Sequence, residues 1–405
     1  MPAGGNARVT SQARRTIIDT DVHPYVRGGL KTLLQYMPRA SRERFALVTH
    51  NAPSANGGSG LDGIDFTTNK WNPPNRYTNP HPGVKVGVLR PDATPPDGGL
   101  PGSDPQFVVK DLLDAYSISA ALLLPVASAG GGHVESNDAY QDANAGQAYV
   151  SAVNNYFIEN WLPVDRRFVL ALQLLTRDPE GSVREIRRHQ AKPGVAAIFM
   201  PLTNLLMGDR FYHPIYRAAQ EYELPIVIHP FGAEGNSLAG PVLAGGVPAT
   251  YLERHVGLTQ VGQANMSSLI LNGVFDKFPR LRIVFAELGF TWAAPLVWRL
   301  DRDWKRMREE TPAVKKFPSE YFVERIRFTT QPMEEPDRKE DLVALLDMMH
   351  SDRTLMFSSD YPHWDNDHPL TTLAQLRPAL QERVYSRNAL ETFGHRLAEV
   401  APATA

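Results

Sequence analysis

The stretch FVLALQLLTRDPEGSVREIRRHQAKPGVAAIFMPLTNLLMGDRFYHPIYRAAQEYELPIVIHP, residues 168–230, sets three short apolar runs in series with a helical pattern in each gap. The runs cover 168–172, 195–199 and 225–228. Each is continuous rather than alternating, as strands buried on both faces of a parallel sheet are. The first gap holds the polar GSVREIRRHQ, residues 181–190. The second holds residues 211–222, where Phe211, Ile215, Ala218, Ala219 and Tyr222 form an apolar stripe behind Asp209 as N-cap. Strand–helix–strand units of this kind cross over in the right-handed sense.

The alternation extends both ways. Runs at 16–18 and 120–124 precede the quoted stretch, and runs at 281–285, 326–328 and 355–357 follow it. Further helices are expected at 267–275, 294–308 and 339–349. A closing helix is expected at 387–393, capped by Ser386 and stopped by Gly394. Eight strand-like runs alternating with helices predict an α/β chain folded as one (β/α)8 TIM barrel. An open doubly wound sheet is the alternative. No G-x-G-x-x-G or Walker-type loop follows an early strand, which argues against nucleotide binding.

The chain has 405 residues, whereas a bare barrel needs about 250. Part of the surplus sits in residues 49–105, where nine Gly and ten Pro exclude regular helix or sheet. Phe66, Trp71 and Tyr77 are scattered through this run and argue against a mere linker, so it is expected to be a cap loop inserted after strand 1. The domain plan is a polar tail at 1–15, a single barrel domain at 16–395 and a C-terminal tail at 396–405. A net charge of −2 gives no general pull toward nucleic acid or anionic membrane, and no apolar run reaches membrane-spanning length. The N-terminus has no apolar segment of a secretory signal. Cys is absent, which excludes a disulfide framework, an Fe–S cluster and a Cys nucleophile. That fits a reducing compartment, and a cytoplasmic location is expected.

In such a barrel the chemistry lies where strands end. The first run closes with Asp19-Thr20-Asp21-Val22-His23, whose acids and imidazole alternate by two and so face one side. The fifth closes with His229-Pro230, the sixth with Glu287 and the eighth with Ser358-Ser359-Asp360-Tyr361-Pro362-His363. Asp21, His23, His229, Glu287 and Asp360 therefore converge on one end of the barrel. Buried carboxylates need a cation or donors, and a divalent metal supplies the first.

The order Asp-x-Asp-x-His, Ile-His-Pro, Phe-Ala-Glu-Leu-Gly and Ser-Ser-Asp-Tyr-Pro-His resembles the amidohydrolase superfamily. More narrowly it is similar to the branch that contains aminocarboxymuconate semialdehyde decarboxylase and the resorcylate and 5-carboxyvanillate decarboxylases. LILNGVFDKFPRLRIVFAELG and the closing SRNALETFG support the likeness. The resemblance implies one divalent metal, Zn²⁺ with Mn²⁺ as the alternative, held by Asp21, His23, His229 and Asp360. The fourth run ends in Phe199-Met200-Pro201 with no Lys, so a carbamylated-lysine bridge and a second metal are not expected.

The resemblance also implies catalytic and substrate-binding residues. Asp360 is expected to move protons as well as bind metal. Glu287 stands where relatives carry His-x-Gly, which leaves the proton-transfer step open between Glu287 and another group. His255, expected in the loop after strand five, is the candidate acid because an imidazole titrates near neutrality. Arg299 is expected to grip a substrate carboxylate, with an ion pair to Asp301 or Asp303 as its alternative. Trp292 and His363 are expected to border the pocket, and His133 is a weaker candidate. The substrate is a small carboxylic acid or carbonyl compound, and a homodimer is compatible with the relatives.

Three readings follow. A nonhydrolytic decarboxylase would use the metal to hold an aromatic or unsaturated acid while an acid protonates carbon. A hydrolase of an amide, lactone or C–C bond would use metal-activated water. A binding barrel without turnover is the third, and the retained Asp21, His23, His229 and Asp360 speak against it.

Overall fold

A computed structural model describes residues 15–43, 89–125, 143–230 and 251–401, together with positions 241, 243, 244, 246 and 248. All eight expected strands form: β1 Ile17–Val22, β2 Ile118–Leu123, β3 Phe168–Gln173, β4 Val195–Pro201, β5 Ile226–His229, β6 Ile283–Phe285, β7 Ile326–Thr329 and β8 Leu355–Met356. Each pairs in parallel with the next in chain order. The ends of the sheet meet: the Thr20 N–H donates to the Phe357 carbonyl at 3.0 Å, and Val22 bridges Tyr361 in parallel. That closure makes a barrel and removes the open-sheet alternative.

The strands are buried along their length apart from the half-buried Ser119 of β2. Side chains pointing inward, among them Ala120, Leu122, Ala171, Phe199, Val227 and Met356, fill the barrel, with small Ala leaving room for Phe199. Those pointing outward, such as Leu170, Ile198 and Phe285, pack under the helices. Among the helices are α1 Ala143–Asn160, α2 Pro179–His189, α3 His213–Glu221, α4 Tyr251–Leu271, α5 Ala293–Met307, α6 Lys339–Met348 and α7 Asn388–Phe393. Among the described residues no helix is long and apolar enough to cross a membrane.

Local signals account for most boundaries. Asp178 accepts from the Gly181 N–H at 3.0 Å with Pro179 at the first helical position, so α2 starts slightly earlier than its pattern suggested. Asp209 caps as expected, accepting from the Phe211 N–H at 2.8 Å. Two expectations need correction. α4 begins well before residue 267, because Gly257 and Gly262 lower its apparent helix propensity. Gly262 is required by packing: a Cβ there would stand 2.7 Å from the Trp292 ring. Ser386 is not an N-cap. It lies in the π-helical turn Arg383–Arg387 that carries Pro378–Glu382 into α7, and its hydroxyl donates to the Glu382 carbonyl at 3.0 Å. Gly394, at φ +65°, does end α7.

The residues expected to be a C-terminal tail are structural as far as Ala401. Leu397 and Ala401 join the interior cluster with Phe393 and close the underside of the barrel. Arg396 fastens them by donating to the carbonyls of Gln190, Val195 and Tyr222 at 2.7, 3.0 and 2.9 Å.

The described end of the insertion, residues 89–105, ties together the loops after β1 and β8. The Tyr25 N–H donates to the Gly102 carbonyl at 2.8 Å, the Arg90 N–H donates to the Pro362 carbonyl at 2.9 Å, and Leu89 forms an antiparallel bridge with His363. Gly102 has φ +74°, and a Cβ on it would lie 2.8 Å from the His23 carbonyl, so only glycine fits this approach. The segment ends at Asp104, which caps the short helix Pro105–Val108. Residues 49–88 and His133 lie outside the described residues.

Candidate metal centre

Asp21 and His23 sit at the end of β1, His229 closes β5 and Asp360 follows β8. All four are buried, and their candidate ligand atoms lie within 4.8 Å of one another. His23 Nε2 stands 3.1 Å from Asp21 Oδ1 and 2.7 Å from Asp360 Oδ1, and His229 Nε2 stands 3.4 Å from Asp21 Oδ2. The opposite ring nitrogens face carbonyls: His23 Nδ1 lies 3.0 Å from the Leu124 oxygen, and His229 Nδ1 lies 2.5 Å from the Pro230 oxygen. A carbonyl only accepts, so each Nδ1 carries a proton and each Nε2 is turned toward the carboxylates.

Both oxygens of Asp21 and of Asp360, and both Nε2 atoms, make no hydrogen bond of good geometry. Buried acceptors converging without donors are costly, and a divalent cation relieves that cost. Burial alone would lower the His229 imidazole pKa, but the Asp21 and Glu287 carboxylates hold it well above the ordinary value. The field that favours a proton at that nitrogen also favours a metal ion. Two imidazoles and two carboxylates suit Zn²⁺ or Mn²⁺.

Asp360 and Glu287 both sit in the left-handed region, with φ +61° and +52°. Non-glycine residues there are uncommon and concentrate at functional sites. Glu287 Oε2 lies 3.0 Å from His229 Nε2, and its backbone N–H donates to Thr329 Oγ1 at 3.2 Å. Burial and Asp360 push the Glu287 pKa up, yet the His229 and His363 imidazoles outweigh them and leave it below the usual range.

His363 borders the cluster. Its Nδ1 lies 2.8 Å from Asp360 Oδ1, its ring stacks on His23 at 4.4 Å, and its Nε2 lies 3.3 Å from the Tyr25 hydroxyl. Against the effect of burial, Asp360 raises its pKa to about 9. His255 belongs to the first turn of α4 rather than to a loop. Its Nε2 lies 3.1 Å from Asp365 Oδ2 and 3.9 Å from Glu287 Oε1. Burial opposes its protonation, but Asp365 and Glu287 raise its pKa.

Two expected substrate contacts are placed elsewhere. Trp292 donates its indole N–H to the Leu288 carbonyl at 2.9 Å, and its ring packs on Phe285 and Phe328 in the outer core. Arg299 is 77% exposed on α5, 3.6 Å from Asp303, the ion pair that was its alternative. Trp298, on the same helix, is exposed too, and Trp304 packs on Phe317.

Three neighbours went unassigned in the sequence. Asp19 shares the face of Asp21 but accepts from the Ser359 and Asp21 N–H groups, and burial pushes it up to about 7. Tyr25 reaches His363 from beyond β1. Asp365 meets His255 across the barrel mouth. Only Asp19 carried a signal, its spacing from Asp21; the other two pairings join distant segments.

The amidohydrolase family model matches residues 18–395. A gamma-resorcylate decarboxylase of Rhizobium sp. (strain MTP-10005) is 23% identical over 276 residues, 64% of this chain and 76% of that protein. The crystal structure of an amidohydrolase from Mycobacterium avium subsp. paratuberculosis K-10 matches with a TM-score of 0.67 at 19% identity, covering 94% of this chain and 100% of the other. A 5-carboxyvanillate decarboxylase from Novosphingobium aromaticivorans DSM 12444 was crystallised with manganese and 4-hydroxy-3-methoxy-5-nitrobenzoic acid. It matches with a TM-score of 0.59 at 18% identity, covering 94% of this chain and 96% of the other.

Proposed function

The chain belongs to the amidohydrolase family and is a metal-dependent enzyme, and from that premise we propose that it decarboxylates a small aromatic or unsaturated carboxylic acid. The observation that carries the reading is the buried cluster of Asp21, His23, His229 and Asp360, flanked by the Glu287 carboxylate and by two imidazoles of raised pKa. Relatives that act on gamma-resorcylate and 5-carboxyvanillate support an aromatic acid as substrate. The manganese in one of them supports Mn²⁺ beside Zn²⁺.

A divalent ion bound by these four residues supplies fixed positive charge for the substrate's carboxylate. Glu287 stays ionised and faces His229 Nε2, adding negative charge on the side where the ion would be held. His255, whose pKa Asp365 and Glu287 raise against the effect of burial, gives its proton to the carbon that bears the carboxylate, and the new C–H bond takes its electrons from the substrate's π system. The C–C bond then breaks, its electron pair restores the substrate's π system, and CO₂ leaves. The neutral imidazole regains a proton from water. Asp360 takes up or returns protons at substrate oxygen.

The test is CO₂ release from a panel of hydroxylated aromatic acids by protein loaded with Mn²⁺ or Zn²⁺. Turnover should vanish in Asp360→Asn. No CO₂, with ¹⁸O from water entering the product of an amide or lactone, would replace decarboxylation by hydrolysis. Binding of aromatic acids without turnover in either panel would leave a binding barrel.

A further inference from the structure

We propose that Asp365 is the positioning residue of His255, holding that imidazole as the proton donor at the mouth of the site. The proposal rests on the catalytic reading above. His255 stands on the first turn of α4 and Asp365 in the loop after β8, so their 3.1 Å contact joins two walls of the barrel mouth. The side chains are 16% and 13% exposed, enough shelter for a charge-assisted hydrogen bond to hold its geometry.

The loop that carries Asp365 is itself fastened. The Asp367 N–H donates to the Ser359 carbonyl at 2.9 Å and the Asn366 N–H donates to the His363 carbonyl at 3.3 Å. The Gln331 amide donates to the Asp365 carbonyl at 3.4 Å. The carboxylate is therefore presented by a rigid turn that also contains the end of the metal cluster. The charged groups that act on His255 are Asp365, Glu287 at 3.9 Å and Arg254 from its own helix; the Trp364 ring lies 6.0 Å away. Both carboxylates meet the same nitrogen, Nε2. The bond to Asp365 thus fixes the rotation of the ring and keeps Nε2 3.9 Å from Glu287 Oε1, beside the cluster.

The test uses the full-length, metal-loaded protein with ¹⁵N-labelled histidine. The His255 resonance is assigned by its loss in His255→Gln, and its titration is followed in wild type, Asp365→Asn and Asp365→Glu. Asp365→Asn should lower the imidazole pKa by about one unit, and Asp365→Glu should restore most of it. On any substrate that turns over, Asp365→Asn should lower kcat roughly 10–100-fold with KM nearly unchanged, and move the basic limb of the pH profile downward. An unchanged titration in Asp365→Asn overturns the proposal even if CO₂ release is robust. A fall in kcat that tracks loss of bound metal or of melting temperature also overturns it. Wild-type protein with no activity on any acid defeats the decarboxylase reading instead, while the titration still decides this one.

Discussion

Asp360 donates its backbone N–H to the carbonyl of Asp21 at 3.0 Å, so the two buried carboxylates at the centre of the site are tied through the main chain. The tie holds the two buried side chains at one place, where their negative charge accumulates. A cation would therefore add stability as well as chemistry. Zn²⁺ or Mn²⁺ at about 100 times its Kd should stabilise the fold by about 2.7 kcal/mol. Thermal melts before and after chelator dialysis check this, and identical melts would argue against a bound ion.

Glu287→Gln keeps the shape of the side chain but removes the charge that faces His229. Turnover and metal affinity should both fall, roughly 10–100-fold, since the lost charge faces the same Nε2 that would hold the ion. Steady-state kinetics together with metal analysis check both effects. Unchanged metal affinity and turnover would refute a role for this charge.

Arg299→Ala should leave turnover unchanged. Its partner Asp303 is half exposed, and pairs one helical turn apart contribute about 0.3–0.5 kcal/mol. A rise in KM for carboxylate substrates would restore it as a substrate contact.

Asp367 gives the fold a pH dependence of defined sign. Burial, helped by Asp360, Asp365 and Glu335, pushes its pKa from 3.8 up to about 8. Between those values the folded state holds a proton that the unfolded chain has lost, so this group makes stability fall as pH rises through that window. Asp367→Asn should flatten the slope and be more stable than wild type at pH about 8. Urea melts across the window check this, and parallel slopes would refute it.

Leu397→Ala should cost about 2–4 kcal/mol, because the side chain is buried in the barrel's underside. Turnover well below the melting temperature should survive, since the site lies at the opposite end. Urea unfolding and kinetics on the same preparation distinguish this from damage to the site.

Much of this was legible because barrel chemistry concentrates at strand ends. The apolar runs marked β1 to β8, and the residues that close them, Asp21, His23, His229, Glu287 and Asp360, meet in space. Helix phase was harder to read. Arg299 lay at a plausible distance along the chain from Glu287, yet α5 turns it to solvent, and spacing alone does not report rotation about a helix axis. His255 looked like a loop residue because two glycines disguised α4, and those glycines serve contact with Trp292 and Leu243. Asp365 was visible as an acid near Asp360, but its partner lies on another wall. Residues 396–401 looked like a tail because they follow the Gly394 stop; their value comes from the opening they cover.

The meeting of β1 and β8 also sets an order of events. A nascent chain that has emerged through β7 already carries Asp21, His23 and His229, but it lacks Asp360. The fourth acceptor and the last stave of the barrel arrive together. Metal capture by all four residues would thereby wait for β8, and bound metal would become a census of chains whose barrel has closed.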